Sequence, residues 1–128
     1  MPQVRLVTPG QGLTVNPGDT IRVQVAFTYQ GPDWRETLYA ALYTYTLGMM
    51  DELSGGSGAM GWNIPKAIEP VTVTECYVDV PVPNRPGTCG IYAKLGNILS
   101  ILYDNVITIA GVLTPTVTNF RITSYTKR

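Results

Sequence analysis

The sequence predicts an all-β protein, a sandwich or barrel of short antiparallel strands, on three observations. Turn residues punctuate it throughout, with 13 Gly and 10 Pro in 128 residues. Between those marks lie short runs of β-branched and aromatic residues, several alternating apolar and polar with period two. No stretch of helical period extends beyond two turns; the best helical candidate is LGMMDELSG, residues 47–55, which runs into glycines. The length suggests one domain, with about two-thirds of the unfolded surface buried on folding.

Taken in order, VRLVT (4–8) reads as a first strand stopped by Pro9-Gly10, and LTV (13–15) as a short edge piece. Asn16-Pro17-Gly18-Asp19 is a turn, because proline fixes φ at one central position and glycine supplies positive φ at the next. TIRVQVAFTY (20–29) alternates most clearly, with Ile21, Val23, Val25 and Phe27 against Arg22, Gln24 and Thr28. QGPDW (30–34) is a loop, and TLYAALYTYT (37–46) is the next strand. Residues 47–66 read as a long connection whose SGGSG centre is flexible by composition. A connection of that length in a compact domain is more often functional, or ordered by a partner, than idle.

VTVTECYVDVPV (71–82) is a further strand with a bulge near Thr74-Glu75, where the apolar phase shifts, and PNRPG (83–87) is a turn. TCGIYAKL (88–95) alternates with Ile91, Ala93 and Leu95 on one face and Tyr92 and Lys94 on the other. Gly96-Asn97 is a two-residue hairpin signal. ILSILY and VITI (98–103 and 106–109) form a last strand kinked at Asp104-Asn105, and Gly111 to Pro115 then breaks it. That gives about seven strands over residues 1–110. TVTNFRITSYT (116–126) is an additional β-prone arm, so the chain divides into a sandwich over 1–111 and a C-terminal extension over 112–128.

NPGDTIRVQVAFTY, TVTECYVDVPVP and RPGTCGIYAKLG together resemble the Ig-like superfamily, most of all fibronectin type III and bacterial cell-adhesion-related modules. The resemblance covers about residues 4–110 and rests on turn chemistry: a Pro-Gly-Asp turn opening the second strand, and Pro86-Gly87 leading into the strand with Tyr92. It implies an Ig-like antiparallel β-sandwich of about seven strands with a C-terminal β-prone arm. The chain departs from antibody domains, because Cys76 and Cys89 are too close in sequence for the inter-sheet bridge. A fold of this kind is a scaffold and does not by itself name a function.

Chemistry is narrowed by what is missing. There is no histidine, which removes Ser-His-Asp triads, Cys-His dyads and histidine metal sites. The paired acids Asp33/Glu36, Asp51/Glu52 and Glu75/Asp79 sit in turns or at alternating strand positions, where exposed acids are ordinary. DELSGGSG lacks the alternate-position ligand spacing of a calcium loop. SGGSGAMG lacks the lysine and the strand–helix context of a phosphate loop. No catalytic residue, cofactor or metal ligand is expected. Cys76 and Cys89 either form a disulfide closing a short loop or remain as two buried thiols.

Charged residues make up 14%, against about 25% in typical soluble domains, and formal net charge is zero. A neutral chain does not predict a nucleic-acid binder. After Asp104 no acid follows, while Arg121, Lys127 and Arg128 do: a solvated tail, or a contact with an acidic partner. No apolar run is long enough for membrane insertion, and the start MPQVRLVTPG does not read as a signal peptide.

Eight Tyr and two Trp against two Phe stand above background. These residues suit half-wet surfaces, apolar at one end and hydrogen-bonding at the other. Tyr29, Trp34, Tyr39, Tyr43 and Tyr45 cluster in sequence, and Trp62 lies further on. In TLYAALYTYT the aliphatic core of the neighbouring strands places Leu38, Ala40 and Leu42 inward and Tyr39, Tyr43 and Tyr45 outward, with Ala41 a shallow gap between rings. The rings are either packing for the sandwich and its rim, a protein contact, or a sugar-stacking platform. The leading expectation is a structural module contacting other protein subunits in a virion or at the cell surface, such as a phage decoration or tail protein or a filament subunit. Phe120 and Ile122 would anchor its arm. The alternative is a carbohydrate-binding or adhesion module using exposed Tyr and Trp on a glycan.

Overall fold

A computed structural model describes residues 5–8, 12–97, 99–111 and 117–127. The described residues contain nine strands and no helix: β1 (Arg5–Thr8), β2 (Leu13–Val15), β3 (Thr20–Gly31), β4 (Trp34–Thr46), β5 (Met49–Ile64), β6 (Ala67–Val73), β7 (Tyr77–Pro81), β8 (Gly87–Leu95) and β9 (Leu99–Ile109). The all-β reading holds, and two sheets pack face to face as a sandwich. The expected Pro9-Gly10 stop, residues 112–116 and Arg128 lie outside the described residues.

One sheet has the order β2-β9-β8-β4-β5, with β2 parallel to β9 and every other pair antiparallel. The other is built on β3. Gln24 of β3 pairs with Thr8 of β1 and with Tyr77 of β7, so those two strands flank it on opposite sides. β6 pairs with the second half of β3 and β7 with the first half, end to end along one edge. This sheet is therefore three strands wide against five.

The alternation of β3 is observed as read: Ile21, Val23, Val25 and Phe27 are buried, and they meet Leu38, Ala40 and Leu42 of β4 and Ile91, Ala93 and Leu95 of β8 in one core. The Asn16–Asp19 turn closes with Asp19 N–H donating to the Asn16 carbonyl at 3.1 Å, and Asn16 N–H to Asp19 Oδ2 at 2.9 Å.

Four readings need correction. Residues 47–66 are not a long connection and carry no helix: they are the β4–β5 turn and a 16-residue strand. Pairing runs Tyr43↔Glu52 and then Ala41↔Ser57, so Leu53–Gly56 bulge out of register and Leu53 drops into the core. The stretch 71–82 is two strands, because the shift foreseen near Thr74-Glu75 becomes a three-residue break between β6 and β7. The β8–β9 turn is longer than two residues, since pairing resumes at Leu95↔Leu99. Residues 117–127 form no strand despite their β-prone composition.

The glycines of SGGSG answer to packing. β5 crosses the outer edge of β7, and a Cβ on Gly58 would overlap the Asp79 carbonyl oxygen and lie 3.3 Å from Val78 Cγ2. Trp62 Nε1–H donates to the Tyr77 carbonyl at 3.0 Å, so β5 seals the β7 half of that edge. A Cβ on Gly61, on the same strand, meets nothing within 4 Å.

Two contrasts follow for equilibrium denaturation. Leu38→Ala and Leu42→Ala should each cost about 2–5 kcal/mol, as both side chains are fully buried. Gly58→Ala should cost about 1–3 kcal/mol through overlap with backbone, whereas Gly61→Ala should stay within about 0.5 kcal/mol.

Candidate functional site

The tyrosines of β4 stand on the outer face of the five-stranded sheet, as the phase of the strand requires. They do not form an open platform. Ala41 pairs with Tyr92 of β8, and Tyr92 fills the gap that Ala41 leaves. Its ring centroid lies 5.9 Å from Tyr39 and 6.0 Å from Tyr43, both tilted. Tyr92 hydroxyl donates to Glu52 Oε2 at 2.8 Å, and Tyr39 hydroxyl donates to Glu52 Oε1. One carboxylate from β5 thus ties strands β4 and β8 together. Lys94 Nζ sits 5.2 Å from the Tyr39 ring centroid, a cation over the same aromatic face.

Tyr43 is 1% exposed, although it faces outward. Its ring lies across Gly90 of β8 and its hydroxyl donates to Asp104 of β9. A Cβ at Gly90 would come within 2.6 Å of the Tyr43 hydroxyl and 2.7 Å of the Tyr103 carbonyl, so only glycine fits beneath the ring. The register agrees: β8 and β9 pair at Cys89↔Ile107 and next at Ile91↔Tyr103, so three residues of β9, Asp104 among them, bulge opposite Gly90. Burial and the Asp104 carboxylate both raise the Tyr43 pKa. Burial and the Glu52 carboxylate do the same for Tyr39 and Tyr92. In each case the neutral phenol is the favoured donor.

The remaining sequence-predicted contact residues are scattered. Tyr29 is buried, stacks on Trp34 at 5.4 Å between centroids, and donates its hydroxyl to the Pro32 carbonyl. Trp34 and Trp62 are half-buried against the core, and Trp62 meets Tyr77 edge-on at 5.2 Å. Arg22 covers the other part of Tyr77 at 4.0 Å and pairs with Asp79 through two bonds of 2.9 and 3.1 Å. Of these, Tyr29 and Tyr43 are buried in the chain, and Trp34 and Trp62 keep part of their surface open. Tyr43, expected to stand open on the outer face, is covered instead, by Tyr45, Tyr92 and the Gly90–Asp104 side of the sheet. Among the expected residues, Tyr45 (52% exposed), Phe120 (94%) and Ile122 (82%) stand in solvent. Reading the β4 strand alone missed Glu52, Asp104 and Gly90, which complete the tyrosine network; the kink read at Asp104-Asn105 is the signal for the β9 bulge.

Cys76 and Cys89 are both free and buried, so the disulfide expectation gives way to two thiols packed in the core. Burial raises both thiol pKa values, and Glu75 adds to the effect at Cys76, which is pushed up to about 11.

Exposed apolar side chains gather in three places. The β4–β5 turn presents Leu47 (99% exposed), Met49 and Met50 beside Tyr45. The arm presents Val117, Phe120, Ile122 and Tyr125. Along β6, Ile68 and Val71 are exposed beside a groove of about 680 Å³ that runs from Ile64 to Glu75. A cleft of about 520 Å³ adjoins it beside Trp34 and Asn63. Compared with protein-family models and with curated proteins, the chain matches none.

The tyrosine network makes a pH prediction. A phenol whose folded pKa is raised contributes stability that is complete below its unfolded pKa of 10.0 and is lost as pH climbs towards the folded value. Ultraviolet titration should therefore find Tyr43 and Tyr92 un-ionised until alkaline unfolding, and Glu52→Gln should lower the pH at which Tyr39 and Tyr92 ionise. Gly90→Ala, read by chemical denaturation, should cost about 1–3 kcal/mol by displacing the Tyr43 ring.

Proposed function

We propose that this chain is a non-catalytic structural module of a larger protein assembly, of virion or extracellular type, acting through contacts with other subunits. The observation that carries the reading is the arm. Residues 117–127 hold four large apolar side chains, all exposed, with no packing against the sandwich. Soluble monomers scatter single apolar residues over their surface, but a run on one extended segment marks an interaction site. Burying Phe120 and Ile122 against a partner would stabilise the contact by about 1.5–3 kcal/mol each. The Leu47–Met50 turn supplies a second apolar projection of the same kind.

An Ig-like scaffold is part of this proposal. It is supported by the strand order: β9-β8-β4-β5 stands as the G-F-C-C′ order of variable-type domains, and β1-β3-β6/β7 as A-B-E. The glycan-binding alternative loses its main support, because Tyr43 is covered, Tyr29 and Trp34 stack on each other, and the Tyr39 and Tyr92 hydroxyls already donate to Glu52.

Size-exclusion chromatography with light scattering, on the full chain and on a chain lacking 112–128, tests the reading. The full chain should self-associate with rising concentration, and the shortened chain should stay monomeric with unchanged thermal stability. Monodisperse monomers in both cases would remove the proposal.

A further inference from the structure

Among the described residues, β6 pairs with β3 on one edge and with no strand on the other. Cross-strand partners share a face, and Val71 pairs with Tyr29, a buried core residue. Val71 thus points to the core side of its sheet, yet it is 44% exposed. Two residues on, Val73 pairs with Phe27 and both are buried. The sandwich is therefore open at Val71. β5 covers only the β7 half of this edge, through Gly58 and Trp62. Along the β6 half runs the groove, with buried Ile64 and Ala67 at its floor and Ile68 and Val71 at its side.

We infer that this groove accepts residues 117–127 of a second copy as an added strand on β6. This rests on the assembly reading above and names its contact. Three observations fit arm and groove together. The arm is rich in β-formers, and Phe120 and Ile122 are two apart, so as a strand they face one side and can cover the open core side at Val71. The charges complement: the arm carries Arg121 and Lys127 and no acid, while the groove carries Glu69 and Glu75 against one cation, Lys66, at its Ile64 end. Among the described residues the single ion pair is Arg22–Asp79, so neither glutamate is matched within the chain. The chain's own arm is not seated there, since residues 117–127 are exposed and unpaired. Pro70 denies the edge one donor, which directs main-chain pairing to Val71–Val73, the last three residues of β6.

Two half-competent chains test it. Val71→Asp blocks the groove and keeps the arm; deletion of 112–128 keeps the groove and removes the arm. Each alone should be monomeric by light scattering, and an equimolar mixture should give a 1:1 heterodimer. Glu69→Lys with Glu75→Lys, both exposed, supplies a second groove variant that does not touch the core, and should weaken self-association on the order of tenfold. If deletion abolishes self-association but both groove variants associate like the native chain, assembly through the arm stands and β6 is not its receptor. A mixture that stays monomeric while the full chain associates likewise overturns the groove. A full chain that is monomeric at every concentration overturns both readings.

Discussion

A sheet five strands wide packed on one three strands wide leaves an edge that needs cover. At such an edge, main-chain donors and acceptors face outward and the core beneath lies next to solvent. The chain meets this need over half the edge. β5 swings across β7, and the absence of a side chain at Gly58 allows it to pass over the Asp79 carbonyl. Trp62 then closes the joint with its indole N–H on the Tyr77 carbonyl. The bulge at Leu53–Gly56 is part of the same manoeuvre, since it lets β5 keep its pairing with β4 on both sides of the crossing while Leu53 enters the core. Over β6 no strand follows, and the apolar groove is the result.

The outer face of the five-stranded sheet obeys a different need. A row of tyrosines on a sheet face is a large apolar surface with polar ends. Here Glu52 and Asp104 accept from three hydroxyls, and the rings of Tyr39, Tyr92 and Tyr43 lean on one another. These contacts tie β5, β4, β8 and β9 together across the outer face. Exposed apolar side chains remain on the projecting β4–β5 turn, along β6 and on the arm.

Sequence was most legible where a single strand reports its own environment. Alternation in β3, β4 and β8 identifies the core side because the side-chain period of a strand is two. Leu38, Ala40 and Leu42 are buried for that reason. What could not be read locally depended on a second element. Tyr43 alternates outward, and its burial comes from Gly90 and Asp104 far along the chain. SGGSG has the composition of a flexible linker; composition alone does not separate a glycine needed for freedom from one needed for close approach. The two cysteines suited a bridge by sequence spacing, but each is taken up by the core as a small apolar side chain. The arm has the residues of a strand but no partner among the described residues, and strand propensity without pairing forms no strand.

Amide hydrogen exchange across a range of protein concentrations bears most directly on the claim that β6 is completed by another copy. In an edge strand, alternate amides point away from the sheet and exchange freely unless a new strand accepts them. Over Val71–Val73, exchange should slow as concentration rises, in step with slowing over 117–127 and with no change in β3. Exchange in β6 that is fast at every concentration, or slow even in dilute monomer, contradicts it.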